Sequence, residues 1–153
     1  PDPDKELQEK VSNLCYQLEN DYLRKHGGVL YSNIRETMER LKATYHLYIV
    51  SNCQSGYIEA FLDYYHFHDL IEDFACYGDN DKPKGVNIAL LYERNGLDDA
   101  VYVGDIQGDY DESMKAGVKF IHAAYGFGTI REKVPEIHKF EDLVEVADKV
   151  FEG

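Results

Sequence analysis

From residue 46 onward, short apolar runs alternate with amphipathic stretches, and that alternation leaves few folds open to the chain. Strand-like runs at 46–51, 73–77, 100–104 and 118–123 are separated by helical patterns at 55–65, 85–95 and 109–116, and an amphipathic helix follows at 141–151. Strands joined through helices cannot close as hairpins; right-handed crossovers make them parallel neighbours instead. The expected fold class is therefore α/β, a mostly parallel sheet flanked by helices. Ahead of it, residues 4–25 place Leu7, Val11, Leu14, Leu18 and Tyr22 at helical spacing over about six turns. Gly27-Gly28 ends that helix as a hinge, and Asn33 is expected to cap a second one whose buried face is Ile34, Met38 and Leu41.

One of the apolar runs ends in chemistry. Residues 101–109 read Val-Tyr-Val-Gly-Asp-Ile-Gln-Gly-Asp, so two carboxylates four residues apart follow a strand buried on both faces. Asp105 would stand at the carboxyl end of that strand, where open α/β sheets place ligands. Asp109 would return beside it as the next helix starts. Two adjacent carboxylates repel unless a cation or a donor lies between them, and hard divalent cations prefer oxygen. The plainer reading makes Asp109 a helix cap and Asp105 a loop residue.

Composition excludes several classes. At 153 residues the chain can bury one core, and its 44% hydrophobic and 29% charged content is ordinary for a globular protein. A net charge of −13 argues against nucleic acid or an anionic membrane surface as a partner, but not against a small phosphorylated metabolite. No apolar stretch is long enough to span a membrane. The three cysteines, Cys15, Cys53 and Cys76, fit neither a disulfide framework nor a metal site, and reduced thiols with a cytoplasmic location are the expectation. Cys53 lies two residues past Ser51, so a reactive thiol is weighed there against simple packing. His66 and His68 flank Phe67 and read as a loop packed on the core. Calcium-loop spacings fail, since Lys84 and Tyr110 stand where the loop glycine is needed.

Two further segments complete a pattern. Residues 46–52 end a strand-like run in Ser51-Asn52, and residues 81–88, Asp-Lys-Pro-Lys-Gly-Val-Asn-Ile, set lysines before a helix. A hydroxyl, a lysine and a paired aspartate, in that order and each at a strand end or helix start, resemble the haloacid dehalogenase-like (HAD) hydrolases, in particular those similar to phosphoglycolate phosphatases. The resemblance covers roughly residues 28 to 150 and implies a Rossmann-like sheet. It makes Ser51 the motif II hydroxyl and Lys84, or alternatively Lys82, the motif III lysine. Asp105 and Asp109 become motif IV.

The family's motif I, an Asp-x-Asp after an apolar strand, is not seen. Asp2-Pro3-Asp4 follows no strand and reads as capping or linker. The resemblance thus implies that residues 1–27 are the C-terminal part of a helical cap and residues 28–153 a core without its central strand. Ser51, with the Asn52 backbone N–H, would bind a phosphoryl oxygen, and the lysine would neutralise the phosphoryl charge. Asp105 would bind Mg²⁺, while Asp109 would orient a metal-bound water or the lysine. The intact parent would hydrolyse a small organic phosphate monoester through an aspartyl-phosphate, and this chain alone would be inactive. A separate N-terminal segment or a neighbouring chain would fill the sheet; otherwise the two flanking strands would pair directly. The rival expectation is a non-catalytic HAD-like phosphate- and metal-binding or interaction module.

Overall fold

The computed structural model describes residues 3–153. Helix α1 (Pro3–His26) leads to α2 (Ile34–Lys42), and strands then alternate with helices: β1 (Tyr48–Ser51), α3 (Tyr57–Tyr65), β2 (Asp73–Cys76), a single turn α4 (Tyr77–Asn80) and α5 (Lys84–Arg94). The second half runs β3 (Val101–Gly104), α6 (Gln107–Ala116), β4 (Lys119–Ala123), β5 (Glu136–Ile137) and α7 (Leu143–Glu152). Every strand pair is parallel, as the alternation requires.

The strands form two groups. β1 pairs with β2, setting Ile49 opposite Phe74 and Ser51 opposite Cys76. β3 pairs with β4 and β4 with β5, setting Val103 opposite Ile121 and Ala123 opposite Ile137. Among the described residues β1 and β3 do not pair with each other. Both strands line an apolar groove of about 740 Å³, Ile49 and Val50 from β1 and Val101 and Val103 from β3, together with Leu91 and Leu143. A hydrogen bond crosses it: the Tyr102 hydroxyl donates to the Val50 carbonyl at 3.3 Å. Direct pairing of the two strands, one of the outcomes the sequence left open, is not what the chain does.

Two apolar clusters hold the halves. Met38, Ile58, Leu62, Phe67, Leu70 and Cys76 pack around β1–β2, and Leu41, Ile121, Ala123, Ile137, Leu143 and Ala147 around β4–β5. Leu47 and Phe140 touch both, so the groups share one interior. Phe67 is buried between its two histidines; His68 pairs with Asp63 at 2.8 Å, and His66 ends α3 in a left-handed conformation.

Several expectations need correction. Asn33 precedes α2 but does not cap it through its side chain; its own φ of 58° turns the amide away, and Nδ2 donates to Glu141 at 3.1 Å. The final helix starts at Leu143, because Phe140–Asp142 first winds into a 3₁₀ turn. α4 and β5 carry no sequence signal, being four and two residues long. The helical stripe expected on α1 forms, and it is exposed, with Leu7 61% and Leu18 60% accessible. α1 is fixed to α3 near its C-terminal end, where Arg24 pairs with Asp63 at 3.0 Å and Asn20 donates to the Ser55 carbonyl at 2.9 Å. Asp2 lies outside the described residues; Asp4 falls in the first turn of α1.

Arg94 ties the end of α5 to the start of β2 by donating to both oxygens of Asp73 at 2.6 Å, and Asn95 adds a bond at 2.8 Å. Burial opposes the charge on Asp73, yet Arg94, Asn95 and the Phe74 amide outweigh it and hold the carboxyl below its usual range. A folded-state pKa below the unfolded one means stability that is full above the unfolded value and lost as pH falls through the folded value. Asp73→Asn is therefore expected to lower stability by about 1–2 kcal/mol at pH 7, with the gap to wild type closing in acid. Urea unfolding at pH 7 and below pH 4 checks this; a gap independent of pH refutes it.

Candidate active site

Ser51 and Asp105 stand at the carboxyl ends of their strands and Lys84 at the start of a helix, and the structure joins Lys84 to Asp105 through Asp109. Ser51 closes β1, Lys84 opens α5, and Asp105 follows β3 directly. This is the carboxyl-end edge where α/β sheets gather ligands.

Asp109 organises the site. Its carboxylate is 6% exposed and meets the Lys84 ammonium through Oδ1, while Oδ2 accepts the Asp105 backbone N–H at 3.1 Å. Helix α6 starts at Gln107, so Asp109 sits in its first turn, where a carboxylate also complements the helix dipole. Gly104 is necessary to this arrangement, because a Cβ there would stand 2.6–2.9 Å from the Asp109 side chain. The plainer reading of Asp109 as a helix cap does not describe it: Ile106 holds the N-cap position, and both Asp109 oxygens reach elsewhere.

Lys84 is largely enclosed, its side chain 12% exposed, with its ammonium 5.5 Å from the Tyr102 ring centroid. Burial disfavours its charge, but Tyr102 and Asp109 together more than offset this, and its pKa lies above the ordinary lysine value. The ammonium therefore stays charged at neutral pH. Lys82 is exposed, and its backbone N–H is bonded to Asn80. Of the two lysines, Lys84 is the one the fold brings to the aspartates.

A loop missing from the motif pattern encloses Asp105. The Phe127 N–H donates to Asp105 Oδ2 at 2.7 Å, and a Cβ on Gly126 would approach within 2.3 Å of Asp105. The loop's trace in the sequence is the pair of glycines in Gly126-Phe127-Gly128. Tyr125 in the same loop meets Tyr31 edge-on at 4.9 Å, which ties the loop to the segment before α2.

The Ser51 hydroxyl accepts the Cys53 N–H at 3.2 Å, which fixes the turn after β1. Asn52 is exposed beside it. Cys53 is half-buried and Cys76 fully buried; burial first and Asp79 second push the Cys76 thiol up to about 12, so it remains protonated.

As a metal site the arrangement is partial. Among the described residues no three His, Cys, Asp or Glu side chains gather around one point. Mg²⁺, however, binds through one or two carboxylates and keeps several waters. Asp105 at a strand end suits one such ligand, whereas both oxygens of Asp109 are already engaged.

The family model for haloacid dehalogenase-like hydrolases matches residues 3–123. The chain belongs to this family. Solved HAD structures have the same fold. A haloacid dehalogenase-like hydrolase from Streptococcus pneumoniae superposes with a TM-score of 0.71 at 18% identity, over 93% of this chain and 70% of that one. A candidate phosphatase from Clostridium difficile gives 0.71 at 20% identity, covering 82% and 65%. A HAD-superfamily hydrolase of subfamily IA, variant 1, from Geobacter sulfurreducens gives 0.67 at 16%, covering 77% and 56%. The chain thus spans between about half and two thirds of the length of the last two. No match was found among curated proteins. Among the described residues, no helix of this HAD chain is long and apolar enough to cross a membrane.

Proposed function

We propose that the chain is the phosphoryl-binding core of a Mg²⁺-dependent HAD phosphatase acting on a small phosphorylated metabolite. The observation that carries this is the buried Lys84–Asp109 pair, set beside Asp105 at the carboxyl ends of parallel strands. Phosphoryl transfer needs positioned charge more than covalent chemistry from the protein, and these residues provide it. In this reading Lys84 neutralises the phosphoryl oxygens, while the Ser51 hydroxyl and the Asn52 N–H donate to one of them. Asp105 would hold Mg²⁺, which supplies charge neutralisation on the phosphate when bound. Asp109 keeps Lys84 charged and aimed.

The nucleophilic carboxylate is proposed to arrive on an extended segment that enters the groove between β1 and β3, from upstream of residue 1 or from a neighbouring chain. Both groove walls are parallel strand edges, and an added strand would gain backbone bonds from each. In trans, a synthetic peptide of about ten residues, an apolar strand ending in Asp-x-Asp, is expected to confer Mg²⁺-dependent hydrolysis of p-nitrophenyl phosphate. Ser51→Ala or Lys84→Ala should then lower the rate by about 10²–10³-fold. A peptide that binds in the groove without eliciting turnover would favour the alternative, a non-catalytic phosphate-binding module.

A further inference from the structure

We propose that Glu112 is a positioning residue for Lys84: it locks the first turn of α5 onto α6 and so holds the base of Lys84 where its ammonium meets Asp109. The start of α5 lacks the usual devices. Its N-cap is Pro83, no side chain caps it locally, and its first turn contains no acidic residue. A helix start leaves unpaired N–H groups and a partial positive charge that need a partner. Glu112 supplies that partner from the neighbouring helix, accepting the Gly85 N–H at 2.8 Å.

The contact is close by design of the backbone. A Cβ on Gly85 would stand 2.8 Å from Glu112 Oε2 and 2.9 Å from the Glu112 carbonyl, so only glycine lets the helices approach this far. Lys115 bonds the other Glu112 oxygen at 2.5 Å, and the carboxyl is held below its usual range by Lys115 first and the Gly85 amide second. Asp109 and Glu112 are three residues apart on α6, so they share one face. One takes the ammonium of residue 84, the other the amide of residue 85. A lysine has four rotatable bonds; fixing only its tip leaves its base free to slide. Glu112 fixes the base.

The effect on phosphate rests on the function proposed above; the effect on geometry does not. Binding of inorganic phosphate with Mg²⁺ present is measured by calorimetry for the whole chain and its variants. Glu112→Ala and Gly85→Ala are expected to weaken it about tenfold, the equivalent of one bond to a charged group. Glu112→Gln, which keeps an acceptor oxygen, should stay within about twofold. On a Lys84→Ala background, Glu112→Ala should cost nothing further. An equal loss on that background, or a Glu112→Gln as weak as Glu112→Ala, overturns the proposal. If Lys84→Ala leaves phosphate binding unchanged, the phosphatase assignment fails, and crystal structures of the variants then decide the role of Glu112. A Lys84 ammonium displaced from Asp109 in Glu112→Ala but not in Glu112→Gln supports it; an unmoved ammonium in both refutes it.

Discussion

With Mg²⁺ and p-nitrophenyl phosphate, the chain by itself is expected to release no p-nitrophenol above the uncatalysed rate. The reason is positional. In the proposed reading Lys84, Ser51 and Asp105 hold the phosphate, and the one further acidic residue among those lining the groove, Asp99, lies ahead of β3, at the end away from Asp105, and pairs with Lys119. Asp105 and Asp109 are the only acidic side chains that the motif pattern places at the site, and Asp109 has both oxygens committed. Asp4, in the first turn of α1, follows no strand. Enzymes accelerate such reactions by about 10⁶-fold or more, so the loss is total in practice. Turnover that persists in Ser51→Ala and Asp105→Asn would be contamination. Turnover that those substitutions abolish would show that a nucleophile is already in place and would sink this expectation.

The second large effect separates the two aspartates. Asp105→Asn is expected to weaken Mg²⁺ binding by about 10²-fold or more, whereas Asp109→Asn should weaken it by about tenfold, in line with the usual effect of a supporting partner. The two substitutions should also differ in stability. Asn at 109 leaves the Lys84 ammonium enclosed without a counter-charge, and removing one member of a buried pair costs about 3–5 kcal/mol. Asp105 accepts one loop N–H, and its loss should cost about 1 kcal/mol. Magnesium titration followed by calorimetry, with urea unfolding of the same samples, reads both. Equal losses of affinity would mean that the roles are shared.

How much of this could be read from the sequence depended on range. The strands and helices were legible because each carries its own period: β3 is a four-residue apolar run, and α7 a two-faced helix. Ser51, Lys84 and the aspartates could be singled out because they sit at element boundaries, with Pro83 just before Lys84 and Gly104 and Gly108 just before the aspartates. The choice between Lys82 and Lys84 was not legible, since both precede the same helix; Pro83 occupies the N-cap, which leaves Lys84 as the first helical residue on the face toward α6. The embrace of Asp105 by Phe127 spans 22 residues of sequence and leaves only two glycines as a trace. Glu112 was invisible for a similar reason, being an ordinary acidic residue on a helix until α5 is packed against it. Asn33 misled because its type suits a cap while its conformation does not.

The bridge from Tyr102 to Val50 bears on how the chain behaves in crowded solution. Unpaired parallel edges are the surfaces through which sheet proteins stick to one another. Here the two edges turn toward each other across the groove, and the tyrosine hydroxyl takes up a carbonyl that another molecule could otherwise recruit. A strand that pairs with both edges must therefore enter the groove itself, and neither strand carries a charged residue that would repel it.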